Sequence, residues 1–174
     1  MMDCTQRRLG ALILTASLLA TLPAGAAELV GSIEEAYAVR HLRRTPFDPR
    51  AALHLVPAES AFLEDVFALS DEAVLLNTNV GLWFSSRRAK GLHAAVYLER
   101  LDALRAHLEA VETPARLESV RTLLREALVL QRGLIAEWHQ ALEEGRPFES
   151  QRTDEFAYHE GLHRSHRLLL KVFA

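Results

Sequence analysis

The chain has 174 residues, a formal net charge of −3 at pH 7 and near-balanced hydrophobic and polar content, enough to bury one substantial core. All but two of its 20 basic residues are arginine (the exceptions are Lys90 and Lys171), and no basic run exceeds Arg43-Arg44 or Arg87-Arg88. With net negative charge this excludes a nucleic-acid partner as the working assumption. The one cysteine, Cys4, rules out a disulfide framework, c-type haem attachment and a second thiol.

Residues 1–26 have the composition of a signal peptide. Arg7 and Arg8 precede an uncharged run from Leu9 to Leu22, and Pro23-Ala24-Gly25-Ala26 ends in the small-x-small pattern of a cleavage site. The run is shorter than the roughly 20 residues that span a bilayer, so export with cleavage after Ala26 is expected, with no stable membrane span afterwards. Loss of Asp3, Arg7 and Arg8 would move the net charge by one unit, to −4. Cys4 lies within the removed segment. A periplasmic or secreted protein is the expected address.

Residues 27–56 read as a helical arm lying on the main body. Ser32 followed by Glu35 is a capping-box pattern for a helix reaching about Arg43, and Asp48-Pro49 has the form of a second helix start. Pro57 then restarts the chain.

Residues 58–174 contain four long apolar stripes of helical period. The first, in 58–87, runs Phe62, Val66, Leu69, Ala73, Leu76, Val80 and Trp83. The second, in 91–111, uses Leu98, Leu101, Leu104, Leu108 and Val111. The third, in 115–144, uses Leu117, Val120, Leu124, Ala127, Leu128, Gln131, Leu134, Ile135, Trp138 and Leu142. The last, in 150–173, uses Tyr158, Leu162, Leu169, Val172 and Phe173. Short breaks separate them at Arg88-Ala89-Lys90-Gly91, Thr113-Pro114 and Gly145-Arg146-Pro147. Connections this short force neighbouring helices to run antiparallel. The expected fold is all-α: an up-down-up-down four-helix bundle with a short helical N-terminal arm after a cleaved signal peptide.

The last helix carries the residues closest to a chemical motif. His159-Glu160-Gly161-Leu162-His163 matches HExxH, in which two histidines one turn apart hold zinc and the glutamate polarises a bound water. The metzincin extension would need glycine at 166 and histidine at 169, where this chain has His166 and Leu169, and such motif helices pack on a sheet that this sequence does not predict. A zinc metallopeptidase is therefore a remote reading. At about 100° per residue, His159, His163 and His166 form a stripe beside the Tyr158–Leu162–Leu169 edge. Three ligands on one straight helix can hardly converge on one ion, so a Zn²⁺ or Cu²⁺ site would need a further ligand from another helix.

Gln131 is the polar member of an otherwise apolar seam. Folding the helices about their breaks sets Trp83 level with Gln131, Tyr97 and His163 or His166 within about one turn, and Asn77 one to two turns away. These residues form a candidate buried polar layer, either fixing helix register or lining a small pocket. His93 and His107 lie on a charged helix and are expected to be solvated. No nucleophile–base set, phosphate loop or paired Glu-x-x-His pattern is present. The sequence thus supports an exported binding or assembly module whose partner is another protein or a second copy, with no catalytic residue and no required cofactor; a Zn- or Cu-binding bundle is the alternative.

Overall fold

A computed structural model describes residues 29–50, 54–86 and 94–147, together with Gly161, Arg164, Arg167, Leu168 and Lys171. The chain folds as an all-α four-helix bundle with an N-terminal arm. In chain order the described elements are α1 (Ile33–Val39), α2 (Pro57–Ser86), α3 (Ala94–Ala110) and α4 (Glu118–Glu143), with one 3₁₀ turn, Ala115–Leu117, leading into α4. The five described residues beyond 160 are helical. Among them Leu168 packs on the bundle core, and a Cβ at Gly161 would lie 3.3 Å from Ala127 Cβ, so this fourth bundle helix approaches α4 closely.

The seams read for the first three bundle helices supply most of the core, with Leu98, Val111 and Leu134 half-buried, and the fourth seam, Tyr158 to Phe173, lies outside the described residues. Phe62, Val66, Leu69, Ala73, Leu76, Val80 and Trp83 are all buried along α2, and those from Phe62 to Val80 cluster with Tyr97, Leu101, Leu104 and Leu108 of α3 and Val120, Leu124, Ala127, Leu128, Ile135 and Trp138 of α4. Leu142, counted in the α4 seam, is instead exposed near the helix end, where Ala141 takes the inward position. Arginine–carboxylate pairs line the outside of the α3–α4 contact: Arg132 with Asp102 at 2.7 Å, and Arg121 with Glu109. Arg100 similarly joins α3 to Glu72 of α2.

Helix ends follow local chemistry. Pro57 opens α2 without the loss of a hydrogen bond, and Glu59 in the first turn accepts from the Val56 N–H at 3.1 Å. Gly145, at φ 65°, ends α4 as the left-handed residue of a Schellman motif, with Arg146 N–H donating to the Ala141 carbonyl. Thr113, beside the break at Pro114, does not cap the helix that follows. Its hydroxyl turns back to the Val111 carbonyl, Pro114 occupies the cap position, and the first turn winds as 3₁₀.

The arm departs from expectation in two places. Ser32 does cap α1, accepting from Glu35 N–H at 3.2 Å, but the helix ends at Val39 rather than near Arg43. The cause is a second Schellman motif: His41 sits at φ 55° and Leu42 N–H donates to the Tyr37 carbonyl at 2.9 Å. Residues 42–48 then run without helix, and at Asp48-Pro49 the Asp48 carboxylate accepts from Arg50 N–H at 2.9 Å. This side-chain turn competes with helix initiation.

The arm also builds a second, smaller core. Val30, Ala36 and Tyr37 pack with Val74 and Leu75 on the flank of α2 that faces away from α3 and α4. Helix α2 is consequently buried on two sides, apolar toward the bundle and mixed toward the arm.

Candidate functional site

The α2 flank under the arm gathers the largest set of buried polar residues: Asp71, Asn77, Thr78 and Asn79. Each is engaged by the arm. The Asn79 amide acts as a surrogate peptide group, Oδ1 accepting from Leu29 N–H at 2.9 Å and Val30 N–H at 3.0 Å while Nδ2 donates to the Val30 carbonyl at 3.1 Å. Asp71, 8% exposed, accepts the Tyr37 hydroxyl at 2.7 Å on one oxygen and Arg44 Nε and Nη2 at 3.1 and 2.7 Å on the other. Arg44 also reaches Glu34. Burial pushes the Tyr37 phenol far above its ordinary range, and its hydrogen bond to Asp71 adds to the shift. The hydrogen bond to Asp71 likewise raises Arg44.

Arg40 fills the third position. Its Nη2 donates to the Asn77 carbonyl at 2.7 Å and to Asn77 Oδ1 at 2.8 Å, and Nε donates to Thr78 Oγ1 at 3.3 Å. The guanidinium lies directly over Gly81, where a Cβ would come within 2.7 Å of Nη2. A glycine inside a 30-residue helix costs helix stability, and here it leaves room for the arginine head.

Of the proposed polar layer, Gln131, Trp83 and Tyr97 are buried in the bundle. Asn77 is buried too, but its side-chain oxygen is taken by Arg40 on the arm side of α2. Gln131 is 1% exposed, and neither its Nε2 nor its Oε1 has a hydrogen-bond partner among the described residues. Such an amide costs stability wherever it stays unpaired. His159, His163 and His166 lie outside the described residues, as does the rest of the HExxH match apart from Gly161. Among the described residues no group of three or more His, Cys, Asp or Glu side chains is arranged to hold a metal ion, and no helix is long and apolar enough to cross a membrane.

A groove of about 460 Å³ opens at the end of the bundle where α2 begins and α3 turns toward α4. Ala58, Ala61 and Phe62 of α2, Ala110 of α3 and Val111 and Pro114 of the turn supply its apolar lining; Asp65, His107, Glu112 and Thr113 supply the polar part. Phe62 is 1% exposed and forms the floor, whereas Asp65 and His107 are half-buried and Glu112 is exposed. The groove exists because the residues on its two helical walls are small: alanines at 58, 61 and 110 leave space that larger side chains would fill. Among the described residues the side chains of Asp65, His107 and Glu112 make no hydrogen bond or ion pair. Nearby acidic groups are used otherwise, Glu59 meeting Arg116 at 2.5 Å and Glu109 meeting Arg121.

Sequence reasoning passed over both features. His107 read as a solvated residue of a charged helix, and its groove partners Asp65 and Glu112 lie 42 and 5 positions away in a charged background. The arm contacts carried a usable signal: Asp71, Thr78 and Asn79 interrupt α2 off its apolar stripe, and the arm contains a matching Tyr37, Arg40 and Arg44. Comparison of the chain with protein-family models, with curated proteins and with solved structures gives no match.

Proposed function

We propose that this chain is an exported helical-bundle binding module and that the groove between the start of α2 and the α3–α4 turn receives its partner. The observation that carries this reading is the contrast between two polar sets. On the arm flank Asp71, Asn77, Thr78 and Asn79 are all engaged by arm residues, whereas the side chains of Asp65, His107 and Glu112 line an open apolar-floored groove without partners among the described residues. Concave, mostly apolar surfaces with a few convergent polar groups are the usual form of a binding site. The address rests on the signal-like residues 1–26, and the grip of Asn79 on Leu29 and Val30 suits a mature chain that begins a few residues earlier.

The test is site-specific photo-cross-linking in an exporting bacterium that expresses the full chain. A cross-linking residue at the half-buried Thr113 of the groove lining or at the exposed Ala115 beside Pro114 is expected to give a discrete adduct, and one at the exposed Glu137 of α4 is not. Equal adducts at all three positions, or none at the groove, would refute the assignment. Fractionation of the same cells checks export, since a precursor retained whole in the cytoplasm contradicts it.

A further inference from the structure

We infer that the groove is selective for a cationic side chain, a lysine or arginine flanked by apolar residues on a partner polypeptide; this rests on the groove being the binding site. Charge supports the sign. Asp65 and Glu112 contribute two carboxylates to the lining; among the described residues neither is neutralised by a cation, and none of the described lining residues is an arginine or lysine. Among the described lining residues His107 is the one nitrogen base, and an imidazole nitrogen that carries no proton can accept a hydrogen bond from an ammonium or guanidinium.

Shape supports the rest of the side chain. The surface between the acidic groups is Ala58, Ala61, Phe62, Ala110, Val111 and Pro114, which favours a methylene stem over a strongly hydrated metal ion. Lysine and arginine combine these features, laying an apolar stem along an apolar wall while the charged head reaches carboxylates at the rim. The groove's volume of about 460 Å³ exceeds what one such side chain occupies, so the residues on either side of the cation enter as well. That is the reason for assigning a polypeptide rather than a free amine.

The experiment uses the mature chain labelled with ¹⁵N and the tripeptide acetyl-Leu-Lys-Leu-amide as probe. Saturable shifts are expected at Ala61, Asp65, Ala110 and Val111. The norleucine analogue, equal in stem and lacking the charge, is expected to bind about tenfold more weakly, the scale of two partly screened carboxylate–cation contacts. The Asp65→Asn/Glu112→Gln double variant should lose the same factor toward the lysine peptide and nothing toward the norleucine peptide. Neither side chain has a partner among the described residues, so the variant is expected to fold; unchanged circular dichroism verifies this. Ala61→Trp should abolish binding of both peptides.

Equal binding of the lysine and norleucine peptides would overturn the cation assignment while leaving the groove as a binding site. So would an absence of shifts with the lysine peptide when cross-links at Thr113 persist. n-Butylamine binding as tightly as the lysine peptide would replace the polypeptide by a small amine and overturn the inference in that form. Loss of the cross-links themselves would remove the binding reading on which it stands.

Discussion

Replacing Asp71 by alanine tests the claim that the arm is fastened by a few specific polar contacts. The carboxylate takes three hydrogen bonds, one from the Tyr37 hydroxyl and two from Arg44, at 2.7 to 3.1 Å. Tyr37 is 3% exposed, so its hydroxyl would lose this acceptor in a buried position, and a lost hydrogen bond to a charged group is worth about 1.5–3 kcal/mol. The Arg44 side chain is 30% exposed and keeps Glu34 and water, so its contribution is discounted to about 1 kcal/mol. The expected loss is about 2–4 kcal/mol, or roughly 6–12 °C in Tm for a chain of this length. Urea denaturation gives the energy. Hydrogen exchange gives the location, with faster exchange expected in residues 29–44 and unchanged protection in α3 and α4. The Tyr37→Phe variant should cost less in the Asp71→Ala background than alone, because the two share one interaction. A loss below about 0.5 kcal/mol, the range of an ordinary surface substitution, would refute the role of the contact, as would faster exchange spread evenly over the bundle.

Three further outcomes follow from the same contacts. Gly81→Ala should fail to deliver the roughly 1 kcal/mol that alanine normally adds to a helix interior, because its Cβ displaces Arg40 Nη2 from Asn77; in an Arg40→Ala background the same change should stabilise by about that amount, and urea midpoints of the four proteins decide it. Gln131→Leu should raise stability by about 1–3 kcal/mol, since it removes a buried amide with no described partner, and a lowered denaturation midpoint would show that the amide is paired in solution. Because the folded-state pKa of Tyr37 is raised, its contribution is complete below the ordinary tyrosine value of 10.0 and is lost as pH rises above it, at up to about 1.4 kcal/mol per pH unit. Denaturation curves between pH 9 and 11.5 should therefore fall less steeply for Tyr37→Phe than for the parent, and parallel curves would contradict the shift.

Three of the four bundle stripes were written in the sequence with little ambiguity, because each depends on residues three and four apart and on breakers at the ends. Phe62 through Trp83 was read as one buried line and is one, and Gly145 ends α4 through the conformation that glycine favours. Caps are less secure, since competing local bonds of similar strength decide them: Ser32 caps α1 as expected, whereas Thr113 bonds backward and the 3₁₀ turn replaces the first turn of α4. The early stop of α1 at His41 had no glycine to mark it.

What the sequence alone determined, then, is the all-helical class, the number and order of the bundle helices and the inward face of those the structure describes, all consequences of short-range periodicity. What the tertiary structure decided is which polar groups meet. Asn77, placed by level one to two turns from Gln131, turns to Arg40, 37 residues earlier; Asn79 holds a backbone 49 and 50 residues away; and Asp65 faces a groove completed by the far end of α3. A hydrogen bond or a cleft requires two surfaces at a fixed distance and angle. Surfaces separated by tens of residues acquire that relation only when the packing of whole helices sets it.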